Sequence, residues 1–544
     1  MKYFKRVTAV GLIIVMLFSL TSCLDDEVSI VNKKTVVEES NKVYLEMDKP
    51  ETLNPILSME RDVYNISKLV YDSLFTVDNN YKPVNGLVSN YNYDKSNNKL
   101  TLALEHRINW HDGDKFTAKD VEFTINAIKA VGSKGPYFQM IDKIGRASVT
   151  GEYSIDIYFK DKNNMALENL CFPILPSHKF NSSYEAANKK TDFNLVGTGQ
   201  YKSKKYLANK ELFLKANSKY FGEAPRSEVH ILILPENANK TKLVESSNIS
   251  ALEDPSEIRE TKIEKKGMKI KNFADNKLIM LGYNFKNENL QNVNLRKAIA
   301  HVVDKKAIIE EIYINSGISS NSIYPPGYYE INKKKDSYKY SLEKASSMLK
   351  KGGLTDSDKD KVIEDKKGNN LSLNILTNSD DQDRVRIAEM LQEYLEDIGL
   401  QATVTSVPQK TYLSYLERGK FDLYIGELSL DETYDFRPYL HSAGAMNFGK
   451  YTNENLDSNM DKIFQGISTE NKGELVKKID DFTRDELPCY PICYKSIGLI
   501  KAPTLKGEVN PNYFNIYNNI NTWYNELEIT VDENGEDVET PPAE

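Results

Sequence analysis

Acidic residues gather beside one apolar run. Glu427, Asp431 and Asp435 follow Phe421 to Gly426, and no base appears before Arg437. Such a patch favours a cationic group, and one carboxylate facing one ammonium in a water-poor cleft makes a strong charge-assisted hydrogen bond. Other chemistry is sparse. There is no G-x-S-x-G nucleophile elbow and no H-E-x-x-H zinc helix. The six histidines are not spaced as metal ligands. Gly444 to Lys450 spells G-x-x-x-x-G-K, but Tyr451 stands where a phosphate loop needs Ser or Thr for Mg²⁺, and no apolar strand precedes it, so the stretch reads as a loop. Gly197-Thr198-Gly199 lacks the third glycine of a dinucleotide fingerprint and reads as a turn. Cys489 and Cys493 stand four apart; on a strand they would share a face, too far apart to bridge readily. With Cys171 they lack a fourth metal ligand and read as buried free thiols, although an exported chain could pair Cys171 with one of them. No catalytic set, metal or cofactor is expected.

The elements that would position these residues are of mixed α/β type. Leu100, Leu102 and Leu104 alternate with Thr101 and Ala103, a strand pattern. Asp112-Gly113-Asp114 makes a turn. Thr117 with Asp120 fits a capping box, and Val121, Ile125 and Ile128 then share a helical face. Val149 and Ile155–Ile157 flank Thr150-Gly151-Glu152 as a hairpin, so residues 60–180 read as a compact α+β unit. Further on, Leu371, Leu373 and Ile375 make a strand. Ile387, Leu391, Leu395 and Ile398 make a helix stopped by Gly399, and Leu400, Ala402 and Val404 make the next strand. Such a β-α-β unit implies parallel strands with a right-handed crossover. A short helix at Tyr412–Leu416 leads to the strand Phe421–Gly426. In open α/β sheets ligands bind beyond the carboxyl ends of strands, which puts the stretch from Glu427 to Asp435 at a candidate site.

The chain of 544 residues is 40% hydrophobic and 28% charged, with both signs mixed. That excludes disordered, collagen-like and polytopic membrane proteins. A net charge of -8 gives a nucleic-acid partner no support. Four cysteines in this length are not a disulfide scaffold. Lys2, Lys5 and Arg6 precede an apolar run, Val7 to Leu20, that suits a signal peptide better than a membrane span. Residues 24–41 are polar and read as a flexible tether, and 531–544 as an acidic tail.

Several segments together resemble a known family. Leu20-Thr21-Ser22-Cys23 is similar to the lipobox of bacterial lipoproteins, which implies cleavage before Cys23 and acylation of its thiol. Leu53-Asn54-Pro55 with Leu69–Phe75, Trp110-His111-Asp112-Gly113-Asp114 with Phe116–Thr124, Val196-Gly197-Thr198-Gly199-Gln200-Tyr201, Leu295–Ala300, and Ile387–Gln392 to Gly399 resemble, in order, signatures of the family 5 extracellular solute-binding proteins. These are the oligopeptide-, dipeptide- and nickel-binding lipoproteins of ABC importers. The resemblance implies an α/β, two-lobe, periplasmic-binding-protein-like fold (class II, cluster C) with an extra small α+β domain. The first lobe would take 42–278 and 496–530, with the small domain near 76–182, and the second lobe 279–495. Leu281–Asn284 and Ile497–Leu499 would be hinge crossings whose glycines absorb rotation.

The resemblance further implies a non-enzymatic monomer outside the cytoplasm. It would be anchored to the bilayer through Cys23, capture peptides and hand them to a permease. Nickel chelates and oligosaccharides are the alternative solutes. A peptidase or a thiol redox protein using Cys489 and Cys493 is the alternative of another class. Trp110, Asp112 and Gly113 are expected to maintain the fold, and Arg296 to be a salt-bridge partner. Peptide-binding members carry G-W and then an Asp that pairs with the peptide α-ammonium. Here Glu427 replaces the Trp, and Asp431 and Asp435 are both open as the matching acid.

Overall fold

The structure, a computed structural model, describes residues 34–162, 166–235, 238–254, 267–314, 316–331, 337–466 and 468–531. Cys23, the apolar run before it and the tail beyond 531 lie outside them. Residues 39–526 make one compact unit, and the described terminal residues, 34–38 and 527–531, belong to another. Lys34–Ser40 is a strand in the sheet that also holds Tyr524–Val531. This corrects the flexible tether expected up to residue 41. The β-branched run Thr35-Val36-Val37 favours a paired strand despite the charges around it.

Four antiparallel strands form the sheet of the small α+β region, in the order Val88–Asp94, Lys99–Leu104, Ser154–Phe159, Ile144–Gly151. Leu100, Leu102 and Leu104 point into the core between less buried Thr101 and Ala103, the expected alternation. Val149 faces Ile155 across the expected hairpin. Helix Ala118–Val131 packs against this sheet with Val121, Ile125 and Ile128 buried. Its start is fixed by the capping box: the Thr117 amide donates to the Asp120 carboxylate at 2.8 Å. A second sheet runs Lys42–Asp48, Glu228–Leu234, Glu211–Ala216, Tyr201–Leu207, the first two strands parallel. Buried apolar residues of both sheets merge into one continuous core.

The second half holds the expected β-α-β unit. Ser372–Asn378 and Gln401–Val407 are parallel neighbours joined by helix Gln382–Glu396. Helix Gln409–Arg418 then leads to Leu423–Ser429, parallel to Ser372–Asn378 on its other side. That strand runs three residues past Gly426, so Glu427 lies inside it, not in the loop that follows.

Two long antiparallel strands, Lys269–Tyr283 and Cys489–Lys501, join the halves. Phe273, Ile497 and Leu499 belong to the first core. Ile279, Leu281, Tyr490 and Ile492 belong to the second. The crossing therefore lies between Ala274 and Leu278 and between Tyr494 and Ile497, where the register of the two strands shifts. Gly282 and Gly498, expected as pivots, are packing positions: a Cβ on Gly282 would sit 2.0 Å from the Tyr424 ring, and one on Gly498 2.4 Å from Ile270. A second register shift between Ile279 and Met280 adds a residue to the partner strand. This bulge breaks the period of two. Cys489 consequently joins one core and Cys493 another, on opposite faces and not on the shared face expected. Both, and Cys171, are buried and free.

The signature turns brace one helix, Arg61–Val70. Gly197 approaches the Val70 carbonyl so closely that a Cβ would lie 1.8 Å from it, and the Gly199 amide donates to that carbonyl at 2.9 Å. His111 ties the two turns together, its Nδ1 accepting from the Gly197 amide at 3.1 Å and its Nε2 bonding the Gly199 carbonyl at 3.0 Å. Arg296 is not the carboxylate partner expected. It is buried, and it donates to the Leu290 carbonyl and to the carbonyls of Glu486 and Leu487, the latter two at the end of helix Thr469–Glu486.

Candidate ligand-binding site

Helix Arg61–Val70 buries Val63, Ile66, Leu69 and Val70 on one side and carries Arg61, Tyr64 and Lys68 on the other. The second half of the chain meets that polar stripe with the loop after Ser429. Arg61 holds Glu253 at 3.1 Å and lies over the Tyr513 ring at 4.1 Å. Tyr64 crosses between the lobes: its hydroxyl donates to the Glu432 carboxylate at 3.1 Å. The seam beside it is aromatic. Tyr81, from the first lobe, packs on Tyr328 and Tyr434, from the second, at ring separations of 5.6 and 5.5 Å. A core cluster thus spans the cleft, and the lobes are closed on each other.

The three acids marked by the sequence have different places. Glu427 pairs with Lys495 at 2.9 Å. Asp431 caps its own turn, accepting from the Thr433 amide at 3.0 Å and from the Thr433 hydroxyl. Asp435 is gripped by Arg437, whose Nη2 lies 2.7 Å away and whose backbone amide lies 2.9 Å away. Asp431 and Asp435 line a cavity of about 300 Å³, which Asp142, Lys143 and Asn169 close from the first lobe.

Sequence reasoning missed Glu432, Tyr64 and Lys68. Glu432 stands in the same acidic stretch but is buried. Burial drives its carboxyl above the usual carboxylate range, against the pull of Lys68 and the Tyr64 hydroxyl. Burial lowers the Lys68 ammonium, against the pull of Glu432. Lys68 lies 4.8 Å from the centre of the Tyr64 ring. The signal available beforehand was the i, i+3, i+7 spacing of Arg61, Tyr64 and Lys68, a polar stripe on an otherwise apolar helix.

A further ion pair crosses the lobes. Glu168, on the short turn Leu167–Leu170, meets Lys472 on helix Thr469–Glu486, and both are buried. Buried Cys171 lies among these charges. Burial raises its thiol pKa, and Glu432, Glu168, Lys68 and Lys472 all act on it. Three groups of acidic or histidine side chains among the described residues could hold a metal ion, at Asp112, Asp356 and Glu46 with their neighbours, and none includes these cleft residues.

Comparison with known proteins agrees with this architecture. The model of the bacterial extracellular solute-binding proteins, family 5 middle, matches residues 82–447. The chain is 23% identical over 428 residues to the oligopeptide-binding protein AppA of Bacillus subtilis, covering 76% of this chain and 78% of AppA. It is 23% identical over 413 residues to the dipeptide-binding protein of Escherichia coli, covering 71% of this chain and 75% of that protein. The fold is similar to the unliganded open form of the periplasmic murein tripeptide-binding protein MppA. The TM-score is 0.76 at 17% identity, over 91% of this chain and 99% of that one. The two-lobe α/β architecture with its small additional α+β domain is therefore that of the periplasmic-binding-protein fold, cluster C.

Proposed function

This chain belongs to the bacterial extracellular solute-binding proteins of family 5, which are not enzymes, and from that premise we propose that it captures peptides between its lobes for an ABC importer. The observation that carries the reading is the bond from Tyr64 to Glu432. It sets a buried carboxylate at the seam of two lobes, beside a cavity lined from both. A peptide α-ammonium entering there would gain a charge-assisted hydrogen bond that water cannot screen. The peptide names of the relatives support the same class of solute. In this reading Glu432 is the anchor. Asp431 and Asp435 meet the bound peptide in the adjoining cavity, and Glu427 belongs to the floor of the cleft. Opening and closing turn about the two crossing strands, and the protein acts as a monomer docking on membrane permease subunits.

The proposal places the protein outside the cytoplasm, held to the membrane by a lipid on Cys23. Its support is the basic cluster, the short apolar run and the tetrapeptide ending in Cys23. No helix of the described residues is long and apolar enough to cross a membrane. Cys23→Ala should release the protein from the membrane fraction or leave it unprocessed. Normal retention, with a mature N-terminus elsewhere, would remove the anchor from the proposal.

Calorimetry with a set of di- to pentapeptides tests the main reading, alongside mass spectrometry of material that co-purifies. Saturable binding with a fall in the radius of gyration on addition to ligand-free protein is expected. No binding by any peptide, together with a non-peptide solute in the purified protein, would overturn it.

A further inference from the structure

Lysines collect at the open edge of the sheet that begins with Lys42–Asp48, on a chain whose net charge is -8. The edge strand Tyr201–Leu207 pairs with Glu211–Ala216, and Lys202 stands directly opposite Lys215. Tyr201 and Leu214 point into the core, so that pair points away from it. Lys205, opposite Phe213, shares the outer face, and Lys204 is the residue that a bulge adds between the two pairs. Lys219 follows on the next turn, where the Asn217 amide donates to the Gln200 carbonyl at 2.8 Å. Among the described residues no carboxylate comes within 4 Å of these ammonium groups. The nearby acids are engaged: Asp112 by Lys179 at 2.6 Å, and Asp72 by the hydroxyls of Thr198 and Tyr220 at 2.9 and 3.0 Å. Lys202 donates to the His111 carbonyl at 3.4 Å. Burial and the charges of Lys219 and Lys204 hold its ammonium below the usual range, against the pull of Asp112.

Lysines on an edge strand keep other strands from adding to it. That accounts for Lys202, Lys204 and Lys205, but not for Lys215 on the inner strand or Lys219 beyond it. Like charges directly opposite on neighbouring strands cost stability, and an anionic surface over Lys202 and Lys215 relieves that cost. An exposed apolar group follows: Phe221, two residues beyond Lys219, is 42% exposed, its ring 4.7 Å from that of Tyr220. The same loop runs on to Arg226, which holds Glu39 at 2.5 Å, and the stretch from Phe221 to Arg226 spans at most about 18 Å. Glu39 is the first residue of the larger compact unit and lies sixteen positions after Cys23. The basic face is therefore close to the point where the chain from Cys23 enters the body. Resting on the lipid anchor proposed above, we infer that this face docks on the bilayer itself, with Lys202, Lys204, Lys205, Lys215 and Lys219 against anionic headgroups and Phe221 at headgroup level. A lipid fixes where the chain attaches but not which way the body faces. A basic patch beside the attachment sets the orientation, through an attraction that fades within a Debye length.

Flotation of the unacylated mature chain with vesicles tests this. Vesicles of phosphatidylglycerol and phosphatidylcholine in equal parts are compared with phosphatidylcholine alone. At low salt the chain should partition onto the anionic vesicles about tenfold better or more, and about 1 M salt, with its Debye length of about 3 Å, should abolish the difference. Lys204→Gln, Lys215→Gln and Lys219→Gln together should remove most of the preference, since each lysine at an anionic surface is worth about fivefold. Lys344→Gln, Lys350→Gln and Lys351→Gln, exposed on helix Leu342–Lys351, change the net charge equally and should leave the preference in place. Equal partition onto both vesicles would overturn the inference and leave the face to an acidic protein partner. A preference that survives the first triple variant, or is lost equally in the second, would overturn it too. The vesicle result does not depend on acylation, so it and the Cys23→Ala fractionation fail separately.

Discussion

Tyr64 and Glu432 are 368 residues apart in the chain, yet the hydroxyl of one donates to the carboxylate of the other at 3.1 Å, joining the two lobes. Helix Arg61–Val70 is held from behind by the glycine turn at 197–199, and the loop bearing Glu432 is held by the caps of Asp431 and Asp435. Both ends of the bond are thus fixed before a ligand arrives. This is the preorganisation that makes a polar contact effective in binding.

Glu432→Gln should weaken binding of a free peptide by about two orders of magnitude, because a buried ligand ammonium would lose its counter-charge. N-acetylating the peptide should do the same to the wild type and little more to the variant. Asp431→Asn and Asp435→Asn should each have a smaller effect, since those carboxylates already serve their own loop. Calorimetry with free and acetylated peptide measures all three, and an anchor at Asp431 or Asp435 would reverse the order.

Lys472→Met should loosen the closed form of the peptide-saturated protein. It leaves the Glu168 carboxylate buried without its cation, which typically costs about 3–5 kcal/mol in the closed state. Opening lets water reach Glu168. Solution scattering should report a larger radius of gyration than for the wild type. Adding Glu168→Gln should restore closure in part, and an unchanged curve for Lys472→Met would show that the pair does not hold the lobes together.

His111 should make stability fall on acidification. Burial holds its pKa down to about 4, and its Nδ1 must stay unprotonated to accept from Gly197. Above about pH 6.5 the ring is neutral in folded and unfolded chains alike and adds no pH dependence. Between about pH 6.5 and 4 the unfolded chain binds a proton that the folded one refuses, so stability drops by on the order of 2–3 kcal/mol. Urea unfolding across that range should show a shallower acid loss in His111→Gln. Parallel profiles would locate the acid sensitivity elsewhere.

Arg296→Met should destabilise the second lobe by about 3 kcal/mol or more, because three carbonyls lose a charged donor. Arg296→Lys should recover only part, since an ammonium lacks the planar fork that reaches all three. Chemical denaturation reads both losses directly, and a Lys variant as stable as the wild type would contradict the role of the fork.

Much of this was legible in the residues themselves, and the reason is local. Alternation at Leu100, Leu102 and Leu104, the Thr117 capping box, and the strand–helix–strand run from Leu371 to Val404 depend on neighbours a few positions away. Those periodicities and caps survive into the fold. The ordered signature segments likewise identified the family, because they build turns that only certain residues can occupy, as Gly197 does against Val70.

What the tertiary structure alone decided is where charges and faces meet. A bulge opposite Ile279 and Met280 put Cys489 and Cys493 on opposite faces, which a strict two-residue period had placed together. Glu427, Asp431 and Asp435 looked equivalent to the unmarked Glu432, since composition carries no information on which carboxylate is already paired. Lys495, Thr433 and Arg437 occupy three of them, and Tyr64 and Lys68 face the fourth from the far lobe. Electrostatic energy depends on separation and burial in space, and chain order constrains neither once two lobes fold against each other.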